Sequence, residues 1–201
     1  MKEIKIIYQP VCDLDSGNIK GFEALARGPD GFLHSPNNLF RVAAREGFLC
    51  MAEMLCFKLA VENASSLPGL IFYNFSPSTV INQLDEIINQ LRCAPNKAVI
   101  ELIEYALPEN KRIELVNALC ELQAAGIKVA LDDVGNGDRD LSDICEIPAD
   151  FMKIDRRLVR GLTRRRNGKA PRYQITLHAM VKLARMLSMQ VIAEEAQHQG
   201  R

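Results

Sequence analysis

The sequence has no excess of charge of either sign. Its 25 Lys and Arg residues balance 25 Asp and Glu. A general affinity for nucleic-acid phosphates or for an anionic membrane surface is therefore absent from the total. Long apolar runs are also lacking. The longest uncharged stretch, Asn63 to Leu84, is broken by Pro68, Gly69 and Pro77 and studded with Ser and Asn, which excludes a membrane-spanning helix. The opening MKEIKIIYQPVCDLD holds neither the apolar core nor the small-residue cleavage site of a secretory signal. Cys12, Cys50, Cys56, Cys93, Cys120 and Cys145 form no CxxC pair and have no histidine at zinc spacing. They are expected as small buried residues in a reducing compartment, the cytoplasm. Internal repeats and low-complexity segments are missing too. What remains is a 201-residue chain with 48% hydrophobic residues, long enough for one domain with a sizeable core.

The order of elements is informative. Short runs rich in β-branched and aromatic residues predict strands at Ile4–Val11, Ile19–Ala26, Leu70–Phe75, Ala98–Ile103, Ile127–Asp132, Asp150–Ile154 and Gln190–Glu194. Asp15-Ser16-Gly17-Asn18 is a tight turn signal, so the first pair is expected as an antiparallel hairpin. Helical periodicity fills the gaps between the later strands. Ser35-Pro36 opens a helix to about Gly47, and others are expected over Met51–Ser65, Ser78–Leu91, Pro108–Gly126, Asp140–Cys145 and Arg172–Ser188. In the fourth of these, Ile113, Val116, Leu119 and Cys120 share one face, the expected buried one. Strands alternating with helices imply parallel pairing and right-handed crossovers. After a hairpin, that many units suggest an α/β barrel more than an open sheet.

Polar residues cluster at the strand ends. Glu23, Asn74, Glu101, the pair Asp132-Asp133, Lys153 and Glu194 each fall near the C-terminal end of a predicted strand. In a parallel barrel those ends open onto one face, where active sites of this architecture are built. Any one such acid is more often a cap or a surface charge, and Asn74 could simply cap the helix that follows. Repetition from strand to strand is the signal. Carboxylates crowded together raise one another's pKa unless a countercharge is present. A divalent cation with hard oxygen ligands resolves the conflict, and adjacent aspartates can serve two such ions. Two metals suit in-line displacement at phosphorus. Lys153, inside the apolar run Phe151-Met152-Lys153-Ile154, either snorkels out of the barrel end or pairs with an acid there.

Seven separated motifs occur in an order that resembles one known family. Gly21-Phe22-Glu23-Ala24-Leu25-Ala26-Arg27 matches the signature of the EAL domain family, bacterial phosphodiesterases that hydrolyse cyclic di-GMP. Tyr8-Gln9-Pro10, Asn74-Phe75-Ser76-Pro77 and Glu101-Leu102-Ile103-Glu104 resemble its YQP, NLSP and ExTE motifs. Asp132-Asp133-Val134-Gly135-Asn136-Gly137, Lys153-Ile154-Asp155 and Ile192-Ala193-Glu194 resemble DDFGTG, KID and VAE. The resemblance implies a variant TIM barrel with an antiparallel first strand and a two-metal site for Mg2+ or Mn2+. Glu23, Asn74, Glu101 and Asp132 would hold one ion, and Asp132, bridging, and Asp133 the second. Lys153 would orient or polarise the attacking water, Glu194 would hold or deprotonate it, and Glu23 counts with them as catalytic. Gln9 and Arg27 match positions that contact the dinucleotide, Arg27 being suited to a phosphate oxygen. Glu104 matches the glutamate that steadies the loop after the aspartates. Cyclic di-GMP is the implied partner, linear pGpG the product, and a homodimer the assembly seen among relatives.

The departures qualify this. Ile103 replaces the threonine of ExTE, and the loop Asn136-Gly137-Asp138-Arg139-Asp140 lacks the family's Thr, Tyr and Ser. The late motif continues as Glu195-Ala196-Gln197-His198, without its usual glycine and second glutamate. The family runs on into a further strand and helix, whereas this chain stops at Arg201 and barrels of this type take about 250 residues. A single domain over 1–201, incomplete at its C-terminus, is therefore expected. A catalytically weak or inactive module that binds cyclic di-GMP or a protein is the competing expectation. The basic stretch Arg156 to Arg172 is expected as a solvated loop and helix start, with no DNA or RNA partner, since Tyr173 alone could stack on bases. His34, His178 and His198 are isolated and expected to play no part in metal binding.

Overall fold

The computed structural model describes residues 4–94, 96–103, 109–135, 141–162 and 170–194. The chain divides into two compact units, Met1–Lys128 and Val129–Arg201.

In the first unit, β1 (Lys5–Cys12) and β2 (Ile19–Arg27) pair antiparallel, in register from Lys5 opposite Arg27 to Val11 opposite Gly21. The hairpin closes as its turn residues dictate. The Asp13 carboxylate accepts from the Ser16 backbone N–H at 2.9 Å and from its hydroxyl at 2.7 Å, and Gly17 takes a φ of 71°. Two helices follow, α1 (Pro36–Arg45) and α2 (Leu49–Asn63), and then β3 (Leu70–Phe75) runs parallel to β2. Beyond α3 (Pro77–Asn82) and α4 (Leu84–Arg92), β4 (Lys97–Leu102) adds in parallel to β3, and α5 (Arg112–Ala124) follows.

Alternation along β3 sets its two faces. Ile71, Tyr73 and Phe75 point toward the helices. Phe57 of α2 meets the rings of Tyr73 and Phe75 edge-on, with centroids 5.2 and 5.1 Å away. Phe72 and Asn74 take the other face. Truncating a buried aromatic such as Phe57 to alanine costs about 3–5 kcal/mol, so this contact firmly seats α2 on β3.

The second unit holds β5 (Lys128–Val134), α6 (Leu141–Glu146), β6 (Phe151–Ile154), α7 (Arg156–Gly161), α8 (Ala170–Met186) and β7 (Gln190–Ala193). The strands pair in parallel in the order β5, β6, β7. The α/β class and the antiparallel first strand are as the sequence predicts.

Four expectations need correction. The helix predicted over Ser78–Leu91 breaks in two at Gln83, whose backbone (φ −125°, ψ 20°) ends α3 and starts α4. On α5 the buried residues are Leu115, Ala118, Leu119 and Leu122, while Ile113 is 73% exposed and Cys120 is exposed. Both faces satisfy the helical period, and packing against α3 and α4 selects one. The cysteines are not core residues: Cys56 alone is buried, Cys50 is partly covered and the other four are exposed. Finally, the basic stretch is not all loop. Asp155 accepts from the Arg157 backbone N–H at 2.8 Å and caps α7, and the Tyr173 ring sits against Gly161 where a Cβ would come within 2.2 Å of it. That ring is committed to packing against α7.

Candidate active site

Each unit gathers polar residues on its own strands. In the first, the register does the work. Gln9 stands directly opposite Glu23 in the β1–β2 pair, and Asn74 stands directly beside Glu101 in the β3–β4 pair. Glu23 is level with Phe72, two residues before Asn74 and on the same face of β3. Gln9, Glu23, Asn74 and Glu101 therefore line the face turned away from Phe57. The Asn74 amide donates to Glu23 Oε1 at 3.2 Å. Asn74 is thus engaged across the sheet instead of capping α3, whose cap residue is Ser76. Glu101 is 1% exposed, a carboxylate held in the interior of this face. Glu23 lies in the middle of β2, not at its end, because the strand runs on to Arg27. Pairing with β3 covers only Gly21 to Ala24, however, so Glu23 is close to where that pairing stops. The Arg27 guanidinium is turned back to the carbonyl of Ala26 at 2.8 Å.

The second unit achieves convergence by breaking the alternation. Leu131 pairs with Met152 and Val134 with Ile154, so Asp132 and Asp133 together stand opposite the single residue Lys153. Such a bulge, with Asp133 at a φ of 53°, lets consecutive side chains approach the same space instead of opposite faces. Gly135 follows at a φ of 98°, and a Cβ there would come within 2.4 Å of Leu158. The Lys153 ammonium is 2.8 Å from Asp132 Oδ1 and 3.2 Å from Glu194 Oε1, and its side chain is 3% exposed. Of the two fates open to this lysine, pairing with acids is the one observed. Glu194 follows directly on β7, held by a hydrogen bond from its backbone N–H to Ile154 at 3.2 Å. Burial pushes its carboxyl up to about 7; the neighbouring Lys153 pulls it down, while Asp132 and Asp133 push it further up.

Oxygen atoms of Asp132, Asp133 and Glu194 lie within 4.8 Å of one another. Three carboxylates around one ammonium leave the cluster net negative when all are ionised, and every donor is a hard oxygen. That chemistry fits a divalent cation of the magnesium, manganese or calcium kind.

Glu104 and the loop 136–140 lie outside the described residues. One polar residue escaped the sequence reading. Glu53 on α2 is 2% exposed and accepts from the Ser76 backbone N–H and hydroxyl. A glutamate inside the apolar run Leu49-Cys50-Met51-Ala52-Glu53-Met54-Leu55, four residues before the buried Phe57, was the available signal.

Comparison with known proteins agrees with the motif order. The family model of the EAL domain matches residues 1–199. A probable cyclic di-GMP phosphodiesterase of Escherichia coli K12, PdeG, is 33% identical over 205 residues, which take in 96% of this chain and 39% of that protein. The solved structure of the EAL enzyme Bd1971 bound to cAMP and cyclic di-GMP superposes with a TM-score of 0.81 at 20% identity, over 98% of this chain and 56% of the other. Klebsiella pneumoniae BlrP1 with calcium and cyclic di-GMP gives 0.78 at 24% identity, over 96% of this chain and 49% of the other. These likenesses show the fold, that of EAL enzymes. The chain spans 24% to 39% of the length of three curated relatives it matches.

Proposed function

The chain belongs to the EAL domain family, and on that premise we propose that it is a metal-dependent phosphodiesterase that opens cyclic di-GMP to linear pGpG. The observation that carries this reading is the buried Lys153 bridging Asp132 and Glu194 beside Asp133. Asp132 and Asp133 would hold Mg2+ or Mn2+, and Glu23, Asn74 and Glu101 would be further ligands of such an ion; the order of the family's motifs carries that assignment. Bound there, such ions would lower the pKa of an attacking water and offset charge building on the phosphate oxygens.

The chain's own groups do the rest. Lys153 presents a charged ammonium, held by Asp132 Oδ1 and Glu194 Oε1, that would orient or polarise the attacking water. Glu194, held near neutrality by burial, is matched to accept a proton at its carboxylate close to pH 7. The Asn74 amide fixes the Glu23 carboxylate by donating to Oε1. Gln9 and Arg27 are proposed dinucleotide contacts, and Arg27 would have to leave the Ala26 carbonyl to reach a phosphate. All six cysteines are free, in keeping with a cytoplasmic setting, which belongs to the same proposal. Among the described residues no helix is long and apolar enough to cross a membrane.

The test incubates purified protein with cyclic di-GMP, with and without manganese or magnesium, and separates the products by chromatography. Metal-dependent pGpG is the expected result. Tight calorimetric binding without product would replace this reading with that of a receptor, which the substituted loop after Gly135 favours. Turnover of another phosphodiester with cyclic di-GMP left intact would reassign the substrate.

A further inference from the structure

Glu53 has no part in the chemistry just described, yet it is among the most deeply placed charged groups of the first unit, with 2% exposure. A carboxylate taken that far from water is strongly destabilising unless donors replace the lost hydration. The donors it has found are Ser76 and Thr79, both where α3 begins. Its Oε2 accepts from the Ser76 hydroxyl at 2.9 Å, and both oxygens lie 3.2–3.3 Å from the Ser76 backbone nitrogen. The Ser76 hydroxyl is also 3.1 Å from Thr79 Oγ1, which ties the first turn of α3 into the same knot. Ser76 has extended backbone and makes no side-chain cap bond to α3. Its backbone N–H and hydroxyl reach Glu53 of α2, while its carbonyl accepts from the Thr79 and Val80 N–H groups of α3.

The location of this knot gives it a consequence. Ser76 is two residues past Asn74, at the point where β3 gives way to α3. The intervening Phe75 is pinned twice: its ring packs on Phe57, and its carbonyl accepts from the Ile103 N–H at 3.0 Å. Glu53 and Phe57 are four residues apart on the buried face of α2, so one helix face grips the end of β3 at both positions. A strand end held on one side only can rotate about its last residues, which would swing the Asn74 amide away from Glu23. Held on both sides it cannot.

We infer that Glu53 is a positioning residue: by binding the Ser76 backbone and hydroxyl it fixes the end of β3 so that Asn74 stays seated on Glu23 in a geometry ready for a divalent cation. This rests on the metal-site reading proposed above. The Glu53 carboxylate itself touches neither substrate nor ion.

The test compares wild type, Glu53→Gln and Glu53→Ala of the whole chain by three measurements. Hydrogen exchange without metal should show the Ser76 amide protected in wild type and exposed in Glu53→Ala. Calorimetric titration with manganese alone should weaken by about tenfold in Glu53→Ala, the lower end of what removing a group that orients a metal ligand costs. Glu53→Gln keeps the shape and one acceptor oxygen, so it should fall between the two. Activity titrated against manganese should show the same displaced midpoint, with activity restored at high metal. Unchanged manganese affinity in a folded Glu53→Gln whose Ser76 amide has lost protection would overturn the inference, as would full Ser76 protection in Glu53→Ala. If the wild type binds manganese but does not hydrolyse cyclic di-GMP, the functional reading fails while the exchange and calorimetric arms still decide the role of Glu53.

Discussion

The two units bring acids to one place by opposite means. On β1 to β4, polar side chains come one per strand, and an unbroken register lines them up across the sheet. Glu23 is steadied there by a neutral amide, Asn74. On β5 to β7 the acids are consecutive, so the strand must bulge and Asp133 must take a positive φ for both to serve one space. Their companion is a buried ammonium. Regular pairing costs nothing beyond the sheet itself, whereas the bulged arrangement carries backbone strain and a buried charge. The second unit should therefore respond far more strongly in stability to changes at its polar residues, and the first chiefly in activity.

The largest expected effect breaks the charge balance of the second unit. Lys153→Met would leave the buried Asp132 and the half-buried Glu194 without their ammonium, and removing one partner of a buried ion pair costs about 3–5 kcal/mol. Urea unfolding without metal should show that loss, with manganese returning part of it because a divalent cation replaces the missing charge. A loss below the range of a surface pair would mean the lysine is better solvated than its burial implies. Next comes Glu23→Ala. Hydrolysis should fall by about 100-fold or more, the scale of losing a metal-site residue or its support, while melting changes little because the half-buried side chain is no part of the core. Full activity in this variant would refute the assignment of Glu23.

A smaller effect sharpens the contrast from the other side. Asp133→Asn keeps a residue that tolerates positive φ and removes one of the like charges pushing Glu194 up. The metal-free protein should gain about 0.5–1 kcal/mol, the magnitude of a partly screened charge pair, and lose hydrolysis. A titration of the Glu194 carboxyl by NMR should move down toward the ordinary range; no movement would show that Asp133 has no part in raising it.

The smallest effect concerns Glu53, whose carboxyl burial raises above its ordinary 4.5 against the opposing hydrogen bonds from Thr79 and Ser76. A carboxyl raised in the folded state contributes stability that is complete below its unfolded value and is lost as pH climbs through the folded one. Glu53→Gln does not titrate. The stability of wild type relative to this variant should thus decline as pH rises from about 4.5, read by thermal melts across pH. A parallel pair of curves would mean that Glu53 has the same pKa folded and unfolded.

Much of the fold was legible because local chemistry and global packing agree. The hairpin turn carries its own Asp and Gly, and the strands are short β-branched runs between helices that stop at Gly47 and Gly126, both at positive φ. The site residues were legible for a different reason: their motifs recur in order along the chain, although distances among them are invisible in one dimension. Where periodicity fitted two answers, as with Ile113 and Leu115 on α5, sequence could not choose. It missed α7 because a dense run of arginines reads as solvated, although Asp155 was a ready cap. Cysteine burial failed because a small apolar residue suits either side of an amphipathic helix, and the larger neighbours decide which side turns inward.

By itself, then, the sequence determined which segments are strands and helices, that the first strand runs against the second, and which acids, amide and lysine are available for chemistry. These follow from local backbone preference and side-chain period, which act over a few residues. The tertiary structure alone decided that Asp132 and Asp133 share one opposing residue, that Lys153 turns inward between two carboxylates, and that Glu53 spends its charge on Ser76. Those outcomes depend on register between strands and on which donors reach a buried oxygen, quantities set when distant parts of the chain pack together.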